Sequence, residues 1–232
     1  CIPMICNIKT GCFVAIERGN YMKLEMLNNE FEGKLITFCG LDGCGKTTQI
    51  KRLVKWLEDN GYKVYLTKQP TDFVRESEIF RTYMDSPEHE DYDYRALSLL
   101  CASDRVQHSN RVISQKLKEG YIVISDRYFY SCLANLIARG FNKDMWIYEI
   151  AKSIQKPDVS FFLNVPVENA IARVRARPEE KDRYIDIELQ KKLHDLYVNI
   201  ARENHGIVVS TILSEDTCFE RILLEVKKIV EA

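Results

Sequence analysis

The sequence has no apolar run approaching the roughly 18 residues that a membrane-spanning helix needs. It has no internal repeat and no low-complexity linker, so solenoid and tethered multidomain architectures drop out. It also lacks an excess of charge of either sign. With 33 Lys and Arg against 34 Asp and Glu, the formal net charge is −1. Nothing global therefore points to DNA, RNA or an anionic membrane as partner, and a phosphate site has to come from local clustering of basic residues. No CxxC pair occurs among the eight cysteines. Cys39, Cys44, Cys101 and Cys132 lie inside apolar or motif segments, where free cysteine packs as a small hydrophobe. The expected setting is reducing and cytoplasmic. What remains is an ordinary globular balance, 46% hydrophobic and 29% charged over 232 residues, which suits one α/β domain.

Residues 1–21, CIPMICNIKTGCFVAIERGNY, lack a starting methionine and the long apolar core and cleavage site of a signal peptide. Two readings stay open, an N-terminal extension or a translated leader with the true start at Met22. Glu17-Arg18-Gly19 can be encoded by a purine-rich run suited to ribosome binding just upstream of Met22. Residues 22–232 are expected to form the single domain.

From Lys34 onward the pattern alternates strand and helix. KLITFC reads as a buried strand, followed by a glycine turn and a helix with Ile50, Leu53, Val54 and Leu57 on one face. Asn60-Gly61 ends that helix. YKVYLT is a second strand, and Asp85–Asp93 is an acidic, solvated loop. One long helix is predicted from about Tyr94 to Lys118. YIVIS, VSFFLN and IVVS complete five strands, with Pro166 as the first helical residue after the fourth. Phe219, Ile222, Leu223, Val226 and Val230 mark a final amphipathic helix. Near-continuous apolar strands between helices predict a five-stranded parallel sheet covered by helices on both faces.

The turn after the first strand reads Gly40, Leu41, Asp42, Gly43, Cys44, Gly45, Lys46, Thr47, with Thr48 next. This is the G-x-x-x-x-G-K-[ST] phosphate loop (P-loop) of nucleoside triphosphatases, in the strand-to-helix context that the motif requires. Its backbone N–H groups and the helix N-terminus would cradle the phosphates of ATP. Lys46 would reach the β- and γ-phosphates, and the Thr47 hydroxyl would sit on Mg²⁺. A GTPase would carry N-K-x-D, but Asn142 to Met145 places the aspartate one residue early. A motor or AAA-type ATPase would need a larger chain. The size favours a kinase acting on a small acceptor.

Two basic clusters agree. Asp126 and Arg127 follow the third strand and so emerge at the carboxyl edge of the sheet, where ligands bind in such folds. Arg127 suits a bidentate clamp on an acceptor phosphate, and Asp126 suits Mg²⁺ or its waters. Arg173, Arg175, Arg177 and Arg183 crowd an eleven-residue stretch interrupted by Pro178. This reads as a short arginine-rich lid over about 173–186, with Arg173 and Arg177 on one helix face. Arginines closing over a transferring phosphoryl group stabilise its charge and exclude water.

With GLDGCGKTTQ, ASDRVQH, SDRY and RVRAR…DR in this order and near-family spacing, the chain from Lys34 resembles the thymidylate kinases among the nucleoside monophosphate kinases. The resemblance implies phosphoryl transfer from ATP to dTMP with Mg²⁺, and commonly a homodimer. It implies that Asp42 contacts the acceptor sugar and helps order the metal, with Thr47 and Asp126 at the ion. Pro70 and Arg105 would bind the acceptor, Arg105 at the thymine ring and Arg127 at its phosphate. Lys46, Asp126, Arg127 and Arg177 would be catalytic, Arg177 as the lid arginine of the transition state, with Arg173 on the ATP side. Gly43 stands where some members place an arginine, and Arg183 follows one residue later than the family spacing. Arg75 and Arg81 are both open as a second phosphate clamp. The base-reading positions depart from the family pattern. Cys101 aligns with a stacking phenylalanine, and Asn135, Leu136 and Ile137 replace polar or glycine positions. One of Tyr128, Phe129 and Tyr130 would be a substitute platform, with core packing expected for at least two of them. Another nucleotide or deoxynucleoside as acceptor, or a non-catalytic ATP-binding protein, are the alternative readings.

Overall fold

Lys34–Cys39 (β1) is apolar on both faces, and Leu35, Ile36, Phe38 and Cys39 are completely buried. A strand of this kind belongs in the middle of a covered sheet. In the computed structural model, which describes residues 22–88 and 91–231, it lies there. The expectations for residues 1–21 fall outside the described residues, as do His89 and Glu90 of the acidic loop. Val64–Lys68 (β2), Ile122–Asp126 (β3), Val159–Asn164 (β4) and Ile207–Ser210 (β5) complete an all-parallel sheet in the order β2-β3-β1-β4-β5.

The helices are Lys46–Asp59 (α1), Asp72–Arg75 (α2), Glu78–Asp85 (α3), Tyr94–His108 (α4), Ser114–Lys118 (α5) and Phe129–Ala138 (α6). Trp146–Ala151 (α7), Val167–Arg175 (α8), Ile187–Glu203 (α9) and Glu215–Val230 (α10) follow. α1 packs on α10, while α6 packs on α9 and α4. Right-handed crossovers place these two sets on opposite faces of the sheet. The chain leaves β1 toward β2 and later turns back through β3 toward β5. This reversal opens a crevice at the carboxyl ends of β1 and β3. Phe38 pairs with Asp126 in register, so the two strand ends that face the crevice are level.

Three details differ from the sequence pattern. The helix predicted over Tyr94–Lys118 is continuous but contains a π-helical turn at Ser109–Ile113. At this turn the Ser114 hydroxyl donates to the Ser109 carbonyl at 3.0 Å, and Ser109 Oγ accepts from the Gln155 backbone N–H at 3.1 Å. Pro166 is the N-cap of α8 rather than its first helical residue, with ψ at 142°. β2 begins two residues later than its apolar run, at Val64.

Two contacts position the crevice. His108, buried on α4, grips the end of β2: its Nε2 lies 3.0 Å from Thr67 Oγ1 and its Nδ1 3.0 Å from Gln69 Nε2. With the Gln69 amide donating to Nδ1, the neutral ring donates through Nε2 to Thr67. Burial holds its pKa below the ordinary imidazole value, with Arg105 reinforcing and Asp104 opposing the shift. Gly43, with φ at 80°, lets the loop after β1 abut α8, and an added Cβ would lie 2.2 Å from the Ala170 carbonyl oxygen. An arginine has no room there.

Gly43→Ala should therefore lower the unfolding free energy in urea by about 1–3 kcal/mol. An unchanged midpoint would contradict the close approach. Because the unfolded chain protonates His108 more readily than the folded one, this residue contributes stability above its unfolded pKa that is lost as pH falls. His108→Gln should flatten the dependence of the thermal midpoint on pH below about 6.5. A variant curve parallel to wild type would refute it.

Candidate active site

The phosphate loop is wound as its glycines allow. Gly40, Gly43 and Gly45 all have positive φ, and Gly45 is the N-cap of α1. Lys46 is nearly buried, and its Nζ donates to the carbonyls of Leu41 at 2.7 Å and Gly40 at 3.1 Å. Leu41, Asp42, Gly43, Gly45, Lys46, Thr47 and Thr48 line one side of a cavity of ≈ 1210 Å³. This exceeds the ~300–1,000 Å³ of a pocket for one small ligand. Gly40 and Cys44 serve the loop from within. The Cys44 side chain is buried beside Lys46, and its carbonyl accepts from the Thr211 hydroxyl at 2.9 Å.

Across the cavity, Arg127 follows β3 in a left-handed conformation, φ 67°, with its N–H bonded to the Phe38 carbonyl at 2.8 Å. This turn throws the side chain over the loop. Nη1 donates to the Gly40 carbonyl at 3.1 Å and to the Tyr197 hydroxyl at 3.2 Å, while Nη2 pairs with Asp42. The other Asp42 oxygen takes Arg183 Nη2 at 3.1 Å. Burial opposes ionisation of Asp42, but the Arg127, Lys46 and Arg183 charges outweigh it and hold the carboxyl far below the usual range. Burial likewise opposes the Arg127 charge, and Asp42 overrides it, so the guanidinium stays charged.

Asp126 lines the same cavity, and its Oδ1 is buried with no hydrogen-bond partner among the described residues. An orphaned carboxylate oxygen in a cavity that Thr47 also lines fits a hard cation or its waters. No group of three or more His, Cys, Asp or Glu residues able to hold a metal occurs among the described residues. Mg²⁺ does not require one, since it takes one or two protein oxygens and fills its shell with phosphate and water.

Pro70 and Arg75 bring a second guanidinium to the acceptor side. Arg75 Nε donates to the Pro70 carbonyl at 2.7 Å. Its pKa is lowered to about 10, by burial first and then by repulsion from Arg127, so the two cations share one space. Arg81 also borders the cavity, but it pairs with Asp85 at 2.6 Å on an exposed turn of α3.

The lid segment leaves α8 earlier than helical spacing suggests. α8 ends at Arg175, and Arg177 is extended, φ −84° and ψ 123°, as a residue preceding proline is driven to be. Arg173 and Arg177 therefore do not share a helix face. Both nevertheless border a smaller adjoining cavity of ≈ 290 Å³ with Thr48, Gln49 and Thr211. Arg173 donates to the Thr211 carbonyl at 2.9 Å. Arg177 pairs with Glu180 at 3.2 Å, and Glu180 also faces Arg183 at 3.6 Å.

At the far end, Cys101 and Arg105 of α4 face Ser131, Cys132 and Asn135 of α6. Burial pushes the Cys101 thiol up to about 11, so it is neutral. Arg105 is buried, bonds the Cys101 carbonyl at 3.0 Å, and leaves its Nε without a partner. Two expectations are corrected here. Leu136 is core and Ile137 packs against the core, and neither lines the cavity, because the face of α6 toward the ligand carries residues 131, 132, 135 and 138. Tyr128, Phe129 and Tyr130 are all core and provide no platform. The aromatic residues that do line the cavity include Tyr83, Tyr94 and Phe141, with Phe80, Tyr92 and Tyr184 also on its wall. Sequence reasoning passed over these, and also Tyr197, Thr211 and Asp104, whose carboxylate takes the Thr71 N–H at 2.9 Å. Of these, only Thr211 had a usable signal, since it directly follows the last strand at the ligand-binding edge.

Comparison with known proteins agrees with this geometry. A family model described as thymidylate kinase matches residues 38–222. A probable thymidylate kinase of Pyrococcus horikoshii is 38% identical over 171 residues, 73% of this chain and 83% of that protein. One from Pyrococcus abyssi is 35% identical over 201 residues, 84% of this chain and 96% of that one. A thymidylate kinase of Prochlorococcus marinus is 31% identical over 213 residues, covering 86% and 99%. On the family match and these relatives together, the chain belongs to the thymidylate kinase family.

Proposed function

We propose that the chain transfers the γ-phosphoryl group of ATP to dTMP, giving ADP and dTDP, with the two phosphates held on opposite sides of the cavity at the ends of β1 and β3. The observation that carries this arrangement is the pair of guanidiniums, Arg127 bonded to the phosphate loop at Gly40 and Asp42 and Arg75 near it, lining the same cavity as the loop. A loop that binds ATP alone needs no second pair of cations lining its cavity. Family membership identifies the reaction as dTMP phosphorylation.

Little covalent chemistry falls to the protein in phosphoryl transfer, so its work is placement and charge. The loop N–H groups and the α1 N-terminus hold the ATP phosphates. Lys46 exchanges its Leu41 and Gly40 carbonyls for phosphate oxygens. Arg127, with Arg75 as second clamp, holds the acceptor phosphate in line. Asp42, ionised and already tied to Arg127 and Arg183, couples acceptor, loop and lid. Arg177 and Arg183 close from the lid and spread positive charge over the equatorial oxygens. Thr47 and Asp126 would hold Mg²⁺, which would supply charge neutralisation to the ATP phosphates. The homodimer remains our reading, for which the exposed apolar side chains Leu66, Phe73 and Leu99 supply surface. Cytoplasmic residence is supported by the five described cysteines, none in a disulfide. No helix among the described residues is long and apolar enough to cross a membrane.

Lys46→Ala and Arg177→Ala should each reduce kcat by about 10²-fold or more while leaving the circular dichroism spectrum unchanged. Wild-type rates in either variant would remove that residue from the mechanism. Arg75→Ala should raise the KM for dTMP well above that of Arg81→Ala, and the reverse order would transfer the second clamp to Arg81.

A further inference from the structure

A single turn of helix carries the second acceptor clamp. α2, Asp72–Arg75, is four residues long, too short to hold its own direction in water, so its anchors decide where Arg75 sits. Val74 is completely buried, and Arg75 Nε donates to the Pro70 carbonyl at 2.7 Å. The turn starts from Thr71, whose carbonyl accepts from the Val74 and Arg75 N–H groups, both at 3.1 Å. Thr71 is the N-cap, yet its hydroxyl makes no capping bond to α2.

That hydroxyl goes to Asp104 on α4 instead. Asp104 Oδ1 accepts from it, and Oδ2 accepts from the Thr71 N–H at 2.9 Å. Asp104 is only 8% exposed and forms no ion pair among the described residues. It lies outside the residues that line the cavity. Nor is it the counter-charge of Arg75: burial and the Arg127 and Arg105 charges lower that pKa, and the carboxylates that oppose them are Asp126 and Asp42. A buried carboxylate without a counter-charge is costly, and here both of its oxygens serve one residue. His108, one turn further along α4, grips Thr67 and Gln69 of the same segment. Cys101 and Arg105, also one turn apart, line the cavity. α4 therefore carries two stripes, one toward the ligand and one toward the chain that bears Arg75.

We propose that Asp104 is a positioning residue for the acceptor phosphate, acting through Thr71 to hold the Arg75 guanidinium in place. This deepens the dTMP reading and rests on the Arg75 clamp. Two bonds to one residue, through its backbone and its side chain, remove a rotation of the turn that one bond would leave. Arg75 needs such a hold, because it shares its space with Arg127 and like charges push it away until a phosphate arrives. With Asp104 in place, the phosphate meets two cations already set, and little ordering is left for binding to offset. Without Asp104, Val74 and the Pro70 carbonyl alone anchor the turn, and ordering Arg75 falls to the acceptor. The loss belongs to the acceptor and not to ATP, since the phosphate loop takes no support from α2.

The test is a double-mutant cycle on the full chain, with dTMP and ATP binding measured by calorimetry for wild type, Asp104→Ala, Arg75→Ala and the double variant. The proposal expects Asp104→Ala to weaken dTMP by about tenfold or more at unchanged ATP affinity. It expects the double variant to bind dTMP within about twofold of Arg75→Ala, because both changes remove one contact. Effects that multiply, or unchanged dTMP affinity in Asp104→Ala, overturn it. Should Asp104→Ala lose ATP binding, Thr71→Ser and Thr71→Val carry the test. Serine keeps both bonds to Asp104 and should bind dTMP like wild type, whereas valine loses the hydroxyl and should bind about threefold or more weaker. Equal dTMP affinity in these two variants likewise overturns the proposal. Wild-type dTMP affinity in Arg75→Ala would instead overturn the clamp reading itself, and the proposal with it.

Discussion

The Arg127 guanidinium joins every part that meets at this edge of the sheet. It is carried by β3, reaches the Gly40 carbonyl at the end of β1, touches Tyr197 on α9, and pairs with Asp42, which holds Arg183 of the lid segment. Its left-handed backbone is what makes this reach possible, at a conformational cost that the surrounding contacts must outweigh. A charge buried this far survives only with a counter-charge, and Asp42 is that partner. Removing either would leave the other stranded, so the loop, the acceptor clamp and the lid stand or fall together.

The chain is nearly neutral overall, yet its cations converge here. Lys46, Arg75, Arg105, Arg127 and Arg177 all line one cavity, where Asp42 and Asp126 are the acids nearest the phosphate loop. Burial first, and then repulsion from Arg127, lowers the Arg75 pKa. Such a cluster is stabilised by phosphates on both sides, and the ionised Asp42 keeps it tolerable without them. Glu180 does the same for the lid arginines. Binding and catalysis draw on one electrostatic arrangement, in which substrate phosphates complete a charge pattern that the fold has already set out.

Much of this was legible from local pattern. The β1 run, the glycine loop and the first turn of α1 are contiguous, so motif and context could be read together. Asp126-Arg127 after an apolar strand has a position dictated by parallel topology. The lid was legible in composition but not in geometry, because Pro178 ends the helical phase that had put Arg173 and Arg177 on one face. α6 misled for a different reason. It is apolar almost all round, with eight of its ten residues buried, so its period cannot say which face meets the ligand. Leu136 and Ile137 were therefore placed at the ligand beside Asn135, whereas of the three only Asn135 lines the cavity. Tyr94 had no signal as a cavity residue, since its place there depends on the packing of α4 against α6.

The most direct measurement of the account is product analysis by phosphorus NMR, with wild-type protein, ATP, dTMP and Mg²⁺ in one tube. The account predicts ADP and dTDP appearing in equal amounts, and no ADP when dTMP is left out. ADP released without dTDP, or ATP bound with neither product formed, would contradict a cavity built to hold two phosphates in line.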